Sequence, residues 1–444
     1  MSRKIFIILF AALMSGFSYG LHAQIITTMA GTGTTGYGGD GQFAAYAKIG
    51  EPSALAVDRP GNVFICDRVN NRIRKIDVYG VMTTYAGTGV QGMSGDGGQA
   101  TAAKIFGPCG LRLDGQGTLY IADSKNNRIR KIDKDGIITT VVGNGVAGHR
   151  GDDSAALHAE LNNPNGIAFD KNGNMYIADA SNNCVRKVNA TDGIITTIAG
   201  KNDTLATFAG DGGPATRALL NFPQAVAVDD SGNVFIADTH NYRIRKISAA
   251  TGIITTAAGN NIPGYGGDQG QPFHSQINIV TDLVFDHKGN LYIADYSNQR
   301  VRKLDPSGVI TTVVGTGVAG HNGDNGPAAD AQLVTPRSVA VDTADNLYIG
   351  EGSCRLRFVY QDDTRTDSLT IYPNPCPINA QLFLFSKYEE LANIEVINSS
   401  GRIVYTALGP TNRFINLKFD DPGFYMVYAV SKHGKWRGKV INHP

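Results

Sequence analysis

The sequence predicts an all-β protein: a six-bladed β-propeller closed by an N-terminal strand, followed by a small immunoglobulin-like β-sandwich. Three observations carry this expectation. There are 54 Gly among 444 residues and only 18% of the residues are charged, a composition that favours turn-rich β structure. A segment of the form Ile-Ala-Asp recurs, ending at Asp67, Asp123, Asp179, Asp238, Asp295 and Glu351, at intervals of 56, 56, 59, 57 and 56 residues. Each interval is too long for one hairpin and must hold a whole supersecondary unit. A second signature, Thr-Thr-x-x-Gly, ends at Gly87, Gly143, Gly200, Gly259 and Gly315, and a further copy ends at Gly31, ahead of the first full repeat.

Residues 1–23 read as a cleaved secretory signal, with Arg3 and Lys4 ahead of an apolar run over 5–14 and small Ala23 at the cleavage point. That run is far short of the ~20 residues that span a bilayer. No later segment is apolar enough either, so the mature chain is expected to carry no transmembrane segment. Within residues 24–361 each repeat holds four short β-prone runs, which in the first repeat are 54–58, 63–67, 72–76 and 81–86. Asp58-Arg59-Pro60-Gly61 and Asp77-Val78-Tyr79-Gly80 supply tight turns, because Pro presets φ and Gly accepts positive φ. Four antiparallel strands per repeat make a propeller blade. The last repeat has only three such runs, so the copy at 26–31 is expected to complete it. That closure sets the blade number at six and removes the open edges that invite aggregation. A polar linker, 362–368, then leads to 369–444, where seven short β-prone runs form a separate small sandwich.

Forty Lys+Arg against 39 Asp+Glu give a formal charge of +1, which leaves no basic field for nucleic acid or an anionic membrane. Cys66, Cys109, Cys184, Cys354 and Cys376 are odd in number and include no C-x-x-C pair. Neither a disulfide framework nor a zinc site is expected from them, and one incidental disulfide stays open.

The pattern Ala-Val-Asp-x-x-Gly-Asn-(Val/Leu)-(Tyr/Phe)-Ile-Ala-Asp-x-x-Asn-Asn-Arg-Ile-Arg-Lys-Ile, in six copies over about 335 residues, resembles the NHL-repeat family of β-propellers. Two features depart from it. The Asn-His-Leu tripeptide reads Asn-Arg-Ile or a close variant, and the repeat is longer, the surplus lying in a loop between blades. That loop repeats as Gly95-Asp96-Gly97-Gly98, Gly210-Asp211-Gly212-Gly213 and Gly323-Asp324-Asn325-Gly326, with looser copies around Asp40, Asp152 and Asp268. Each loop Asp is expected to close its own turn by accepting a backbone N–H, in preference to Ca²⁺, which needs several oxygens at alternating positions. The acids ending the second strands are expected to cap a turn or to pair with Arg74, Arg130, Arg186, Arg245, Arg302 and Arg357.

In the tail, Tyr372-Pro373-Asn374-Pro375, Ser400-Gly401-Arg402, Pro422-Gly423-Phe424-Tyr425 and Lys439-Val440-Ile441 resemble, in order and spacing, the type A C-terminal sorting domain of the type IX secretion system. The resemblance implies that residues 369–444 engage the type IX machinery. It also implies a protein that ends outside a Gram-negative, Bacteroidota-type cell, released or attached to the surface. Cys376 and the terminal Asn442-His443-Pro444 depart from the pattern, and an immunoglobulin-like binding module is the plainer alternative.

Positions identical in six copies serve the scaffold, so positions that differ at equivalent places are the candidate contacts. Directly after the Pro that opens each inner strand come Ser53, Cys109, Asn165, Gln224, Thr281 and Arg337, the fifth following Val280 instead of Pro. They are expected to ring one mouth of the central channel, and as polar, mutually different side chains they suit a small-molecule or peptide site. The interblade loops and the turns of the 67–71 type are expected on that same face. Tyr37, Met93, His149, Phe208, Tyr265 and His321 occupy matching loop places and form a candidate rim for sugar or protein; the plainer reading has each pinning its own loop. Beyond the expected signal, whose 16–20 happen to read G-x-S-x-G, no H-x-H, H-E-x-x-H or G-x-S-x-G arrangement is present, so no catalytic residue, cofactor or metal site is assigned. Asp282 is the one carboxylate near the channel position and a poor metal site alone. The sequence favours a secreted, monomeric propeller that binds an extracellular protein or glycan. Some six-bladed relatives are lactonases or zinc lyases, which keeps an extracellular hydrolase or lyase at the channel mouth as the alternative.

Overall fold

The computed structural model describes residues 24–78, 80–201, 207–361, 370–372, 376–377, 381–385, 391–398, 402–410, 413–416, 423–431 and 434–443. The expected signal (1–23) and linker (362–368), and from the sorting motif Pro373, Asn374, Pro375 and Gly401, lie outside the described residues. Six antiparallel sheets form the propeller. In blade 1 the strands run outward from the axis as Pro52–Val57, Val63–Asp67, Arg72–Ile76 and Val81–Ala86. The second strand is buried along its whole length, as a near-continuous apolar run requires when both of its faces are covered. Its turn from the first strand closes on Asp58, whose Oδ1 accepts the N–H groups of Gly61 and Asn62 at 3.0 and 2.7 Å.

Each blade packs flat against the next through one apolar cluster. Between blades 1 and 2 it joins Ala54, Phe64 and Cys66 to Leu111, Leu119 and Ile121, and equivalent clusters fill the other five interfaces. The ring closes as the repeat count requires: Gln24–Ala30 pairs antiparallel with Arg355–Gln361, placing Thr28 opposite Arg357. The outer strands end at the Thr-Thr-x-x-Gly glycine for a steric reason. Gly87 has φ +91°, and a Cβ there would sit 2.5 Å from the Asn71 carbonyl oxygen.

The interblade loops depart from expectation. The loop Asp does not close its own turn; it reaches across to the arginine on the third strand of the blade that follows. Arg186 is fully buried, with Nη2 2.7 Å from Asp152 Oδ1 and Nη1 3.6 Å from Asp179 Oδ2. The same two-carboxylate clamp holds Arg74 (Asp40, Asp67), Arg130 (Asp96, Asp123), Arg245 (Asp211, Asp238), Arg302 (Asp268, Asp295) and Arg357 (Asp324, Glu351). The local sequence misleads here because an Asp between glycines satisfies the rules for a self-closing turn, while its partner lies 33 or 34 residues away. The second-strand acids do both jobs expected of them: Asp67 Oδ1 also accepts the Gly50 N–H and the Asn70 side-chain amide, each at 2.7 Å.

In the tail, the described strands form a three-stranded and a five-stranded sheet, with Ile394, Val396, Tyr425 and Val427 buried. Gly423 and Tyr425 lie on the strand Gly423–Ser431, and Lys439 on Gly434–His443; Tyr372 ends Thr370–Tyr372. Eight strand segments are described instead of seven. The eighth, Cys376–Pro377, pairs in parallel with Asn442 and His443, so the two departures from the sorting pattern meet each other. Among the described residues no helix is long and apolar enough to cross a membrane.

The clamp makes two predictions. Arg186→Met leaves Asp179 buried and unpaired and is expected to cost about 3–5 kcal/mol. Asp152→Asn, at a carboxylate about one-third exposed, should cost no more than about 1 kcal/mol. Urea titration followed by circular dichroism checks this ordering, and equal losses would contradict it. The second concerns pH. Burial pushes Asp123, Asp238 and Asp295 up to about 6 and Asp179 and Glu351 up to about 7, against the pull of their arginines. In the folded state these groups bind protons that the unfolded chain releases near pH 4, so their contribution is fully present below about pH 4 and declines as pH rises through 6 to 7. Burial also raises Asp40, Asp96 and Asp268, but hydrogen bonds from Thr84, Thr140 and Thr312 and the charge of the clamped arginine outweigh it and leave these groups lowered. Their contribution is lost only as pH falls below about 4. Thermal unfolding across pH 3–8 is therefore expected to show its highest Tm between about pH 4 and 6, and a Tm still rising at pH 8 would overturn this account.

Candidate functional site

Five of the six inner strands open with a bulge, Gly110–Leu113 of blade 2 pairing without a slip. The register slips just after the first residue, between Pro52 and Leu55, Pro164 and Ile167, and Val280 and Leu283, and a bulge of this kind re-aims the side chain that follows. The backbone leading into it is held from the preceding blade. Asn71, Asn127 and Asn183, all left-handed, each accept one N–H, from Gly107, Asn163 and Phe222 respectively, at 2.9, 2.9 and 2.8 Å. The three donors are left-handed too. For a residue as bulky as Phe222, with φ +51°, that conformation costs about 1–3 kcal/mol, and the Asn183 hydrogen bond helps to hold it there.

The result is one cavity of about 270 Å³ at the channel mouth, lined by all six post-proline residues, Ser53, Cys109, Asn165, Gln224, Thr281 and Arg337, together with Arg68, Lys125, Asn163 and Phe222. Ser53 and Thr281 donate to the carbonyls of Pro108 and Pro336, at 2.9 and 3.4 Å, and the Cys109 thiol donates to the Gly107 carbonyl. Arg337 lies over the Tyr296 ring, 5.1 Å from its centroid, and 3.6 Å from Glu51 Oε1, while Arg68 takes the other oxygen of Glu51 at 3.1 Å. The side-chain amides of Asn165 and Gln224 have no hydrogen-bond partner among the described residues and face the cavity.

Beneath lies a space of about 20 Å³ bordered by Arg112 and Asp282, room for roughly one water. Arg112 crosses from blade 2 to donate to the carbonyls of Ile167 and Leu283. Asp282 accepts the N–H groups of Leu283 and Val339 at 2.8 and 2.9 Å. Both side chains border this narrow space and are half-buried. Burial pushes the Asp282 carboxyl up to about 6, with Arg112 opposing that rise. Each Asp282 oxygen thus accepts one backbone N–H of the scaffold. Among the described residues no three His, Cys, Asp or Glu side chains are grouped to hold a metal.

The loops that carry the aromatics join the turns of the 67–71 type, Asn70 and Asn126 donating to the carbonyls of Gly36 and Gly92, but the aromatic side chains do not line the cavity. Tyr37, Phe208 and Tyr265 stack on Arg72, Arg243 and Arg300 at 3.7, 4.0 and 3.6 Å. The hydroxyls of Tyr37 and Tyr265 donate to Asp40 and Asp268. His149 lies 3.5 Å from the Thr197 hydroxyl, and burial followed by neighbouring arginines lowers the pKa of His149 and His321. In this arrangement Tyr37, Phe208 and Tyr265 pin their own loops, and none of the six lines the cavity. The residues that sequence reasoning passed over, Arg68, Lys125, Asn163 and Phe222, stand immediately before the opening proline or just after the second-strand acid. The same comparison of equivalent but unlike positions, extended to the residue before the proline, finds Asn163 and Phe222, whereas Arg68 and Lys125 stand at different places in the turn and carry no such signal.

Comparison with known proteins agrees with this architecture. Residues 87–148 and 145–209 match the Teneurin NHL domain, residues 220–247 match the NHL repeat, and residues 370–443 match a secretion system C-terminal sorting domain. Teneurin-4 of Mus musculus is 27% identical over 339 residues, covering 67% of this chain and 12% of that protein. NHL repeat-containing protein 2 of Bos taurus is 27% identical over 308 residues, covering 60% of this chain and 40% of that one. The matched region is thus less than half of either relative. Among solved structures, a Bacteroides thetaiotaomicron protein described as of unknown function is 19% identical, with a TM-score of 0.57 and 76% of each chain covered. An auxiliary nutrient binding protein of Bacteroides ovatus is 14% identical, with a TM-score of 0.55, covering 76% of this chain and 77% of that one. Likeness at these identities is a likeness of fold. With NHL matches inside the blades and the sorting match over the C-terminal strands, the chain is an NHL-repeat six-bladed β-propeller carrying a type IX secretion sorting domain.

Proposed function

We propose that this protein is a secreted or cell-surface binding module that captures a small polar extracellular ligand, free or at the end of a glycan or peptide, in the cavity at the channel mouth. The division behind this reading is a signal at 1–23, the propeller at 24–361, a linker at 362–368 and the sorting domain at 369–444. One observation carries it: six side chains at equivalent backbone positions, all different, converge on one cavity, while the identical positions are spent on clamps and turns. Asn165 and Gln224 offer the ligand donors and acceptors with no competing protein partner. The description of a fold neighbour as a nutrient-binding protein is consistent with capture as the task. The sorting domain supports delivery outside the cell through the type IX machinery.

Two measurements test these statements. A glycan and peptide array probed with the full mature chain is expected to show binding that EDTA leaves unchanged and that Asn165→Ala and Gln224→Ala each weaken about tenfold, as loss of a ligand hydrogen bond of about 1–1.5 kcal/mol requires. Binding untouched by both substitutions would remove the cavity from the account. In a host with a type IX system, truncation after 368 is expected to hold the protein inside the outer membrane, and its undiminished appearance in the medium would refute the role given to the tail.

A further inference from the structure

The cavity is electrically lopsided. Blades 6, 1 and 2 contribute Arg337, Arg68 and Lys125, against a single carboxylate, Glu51, which both arginines share. Lys125 has no ion-pair partner among the described residues. Its stem lies over Gly107, where a Cβ would come within 2.8 Å of Lys125 Cγ, so the absence of a side chain at 107 is what lets the lysine lie there. Three cations against one anion leave this half of the cavity with a formal charge of +2, in a chain whose total is +1. The other half is neutral: blades 3 and 4 contribute the free amides of Asn165 and Gln224, and the ring of Phe222, backed by His240 at a centroid distance of 5.0 Å and an interplanar angle of 10°.

We infer that the ligand is an acidic sugar, a single uronic acid or the uronic acid end of a glycan, and this rests on the binding reading above. The carboxylate belongs against Lys125 and Arg337, where a charge-assisted hydrogen bond from either is about twice as strong as a neutral one. The ring hydroxyls belong against Asn165 and Gln224, because an amide both donates and accepts and so meets a hydroxyl in either role. Phe222 presents an apolar surface to the C–H face of the ring. Size agrees, since about 270 Å³ lies just under the roughly 300 Å³ at which ligand pockets usually start and so suits a single ring, and the channel narrows to about 20 Å³ of space beside Arg112 and Asp282 beneath it. Glu51 divides its charge between two arginines and so leaves part of each guanidinium uncompensated, while excluding a second acidic group on its own side.

The test is isothermal titration of the full mature chain with D-galacturonate, D-glucuronate, D-galactose and D-glucose, for the native protein and for Lys125→Gln and Arg337→Gln. Lys125 is exposed, so its variant is expected to keep the native Tm, which confirms folding independently of binding. At least one uronate is expected to bind ten or more times tighter than its neutral counterpart, with that preference falling toward unity in Lys125→Gln and weakening as salt is raised. Equal affinity for acid and neutral sugar would overturn the charge assignment and leave the binding module standing. A preference unchanged in both variants would also overturn it, by placing the acid elsewhere. Silence with all four sugars while the array retains another ligand would overturn the acidic-sugar inference alone, whereas silence in both experiments would remove the binding reading as well.

Discussion

The cavity side of this propeller depends on six arginines that have no access to water. A guanidinium keeps its charge at any physiological pH, so burying it at 0 or 1% exposure obliges the fold to bring oxygen to it. The second strand of the same blade supplies one carboxylate and the loop arriving from the previous blade supplies the other. Backbone carbonyls complete the set, such as that of Glu160 at 3.2 Å from Arg186. A buried ion pair is weak evidence of net stability, because desolvation offsets most of the attraction. Its effect here is geometric: a long glycine-rich loop with little apolar surface is held to one path, and that path ends at the opening residue of an inner strand.

Around this clamp the scaffold repeats and the axis does not. Six apolar clusters of like composition join the blades, and the N-terminal strand closes the last of them. Six-fold regularity would make the channel uniform as well. It is broken by Arg112, which reaches across the axis from blade 2 to blade 5, by Asp282, which joins blade 5 to blade 6, and by the unlike residues above them. A repeat protein can carry such differences cheaply, since a residue facing the axis touches few of the contacts that hold blades together.

The candidate site was legible where the repeat itself provided the comparison. Ser53 through Arg337 could be found because each follows a proline, or Val280 in one blade, that marks an equivalent place. Arg68 and Lys125 carry no such flag: one follows the second-strand acid directly and the other follows it by two residues, and only the shared turn shows that both point at the axis. The loop aromatics also vary from blade to blade, and there Tyr37, Phe208 and Tyr265 stack on the neighbouring arginines and stay outside the cavity lining.

Sequence by itself determined the blade number, the strand order within a blade, the N-terminal closure and the sorting tail. Each of these follows from local periodicity, turn chemistry and a count of copies, all of which are written along the chain. Only the tertiary structure decided what the loop aspartates do, where the channel narrows and which half of its mouth is cationic. Those outcomes depend on groups brought together from distant positions, such as Asp152 with Arg186, or Lys125 with Arg337. Coulomb energy and hydrogen bonding act on distance in space, about which spacing in sequence is silent unless a repeat supplies it.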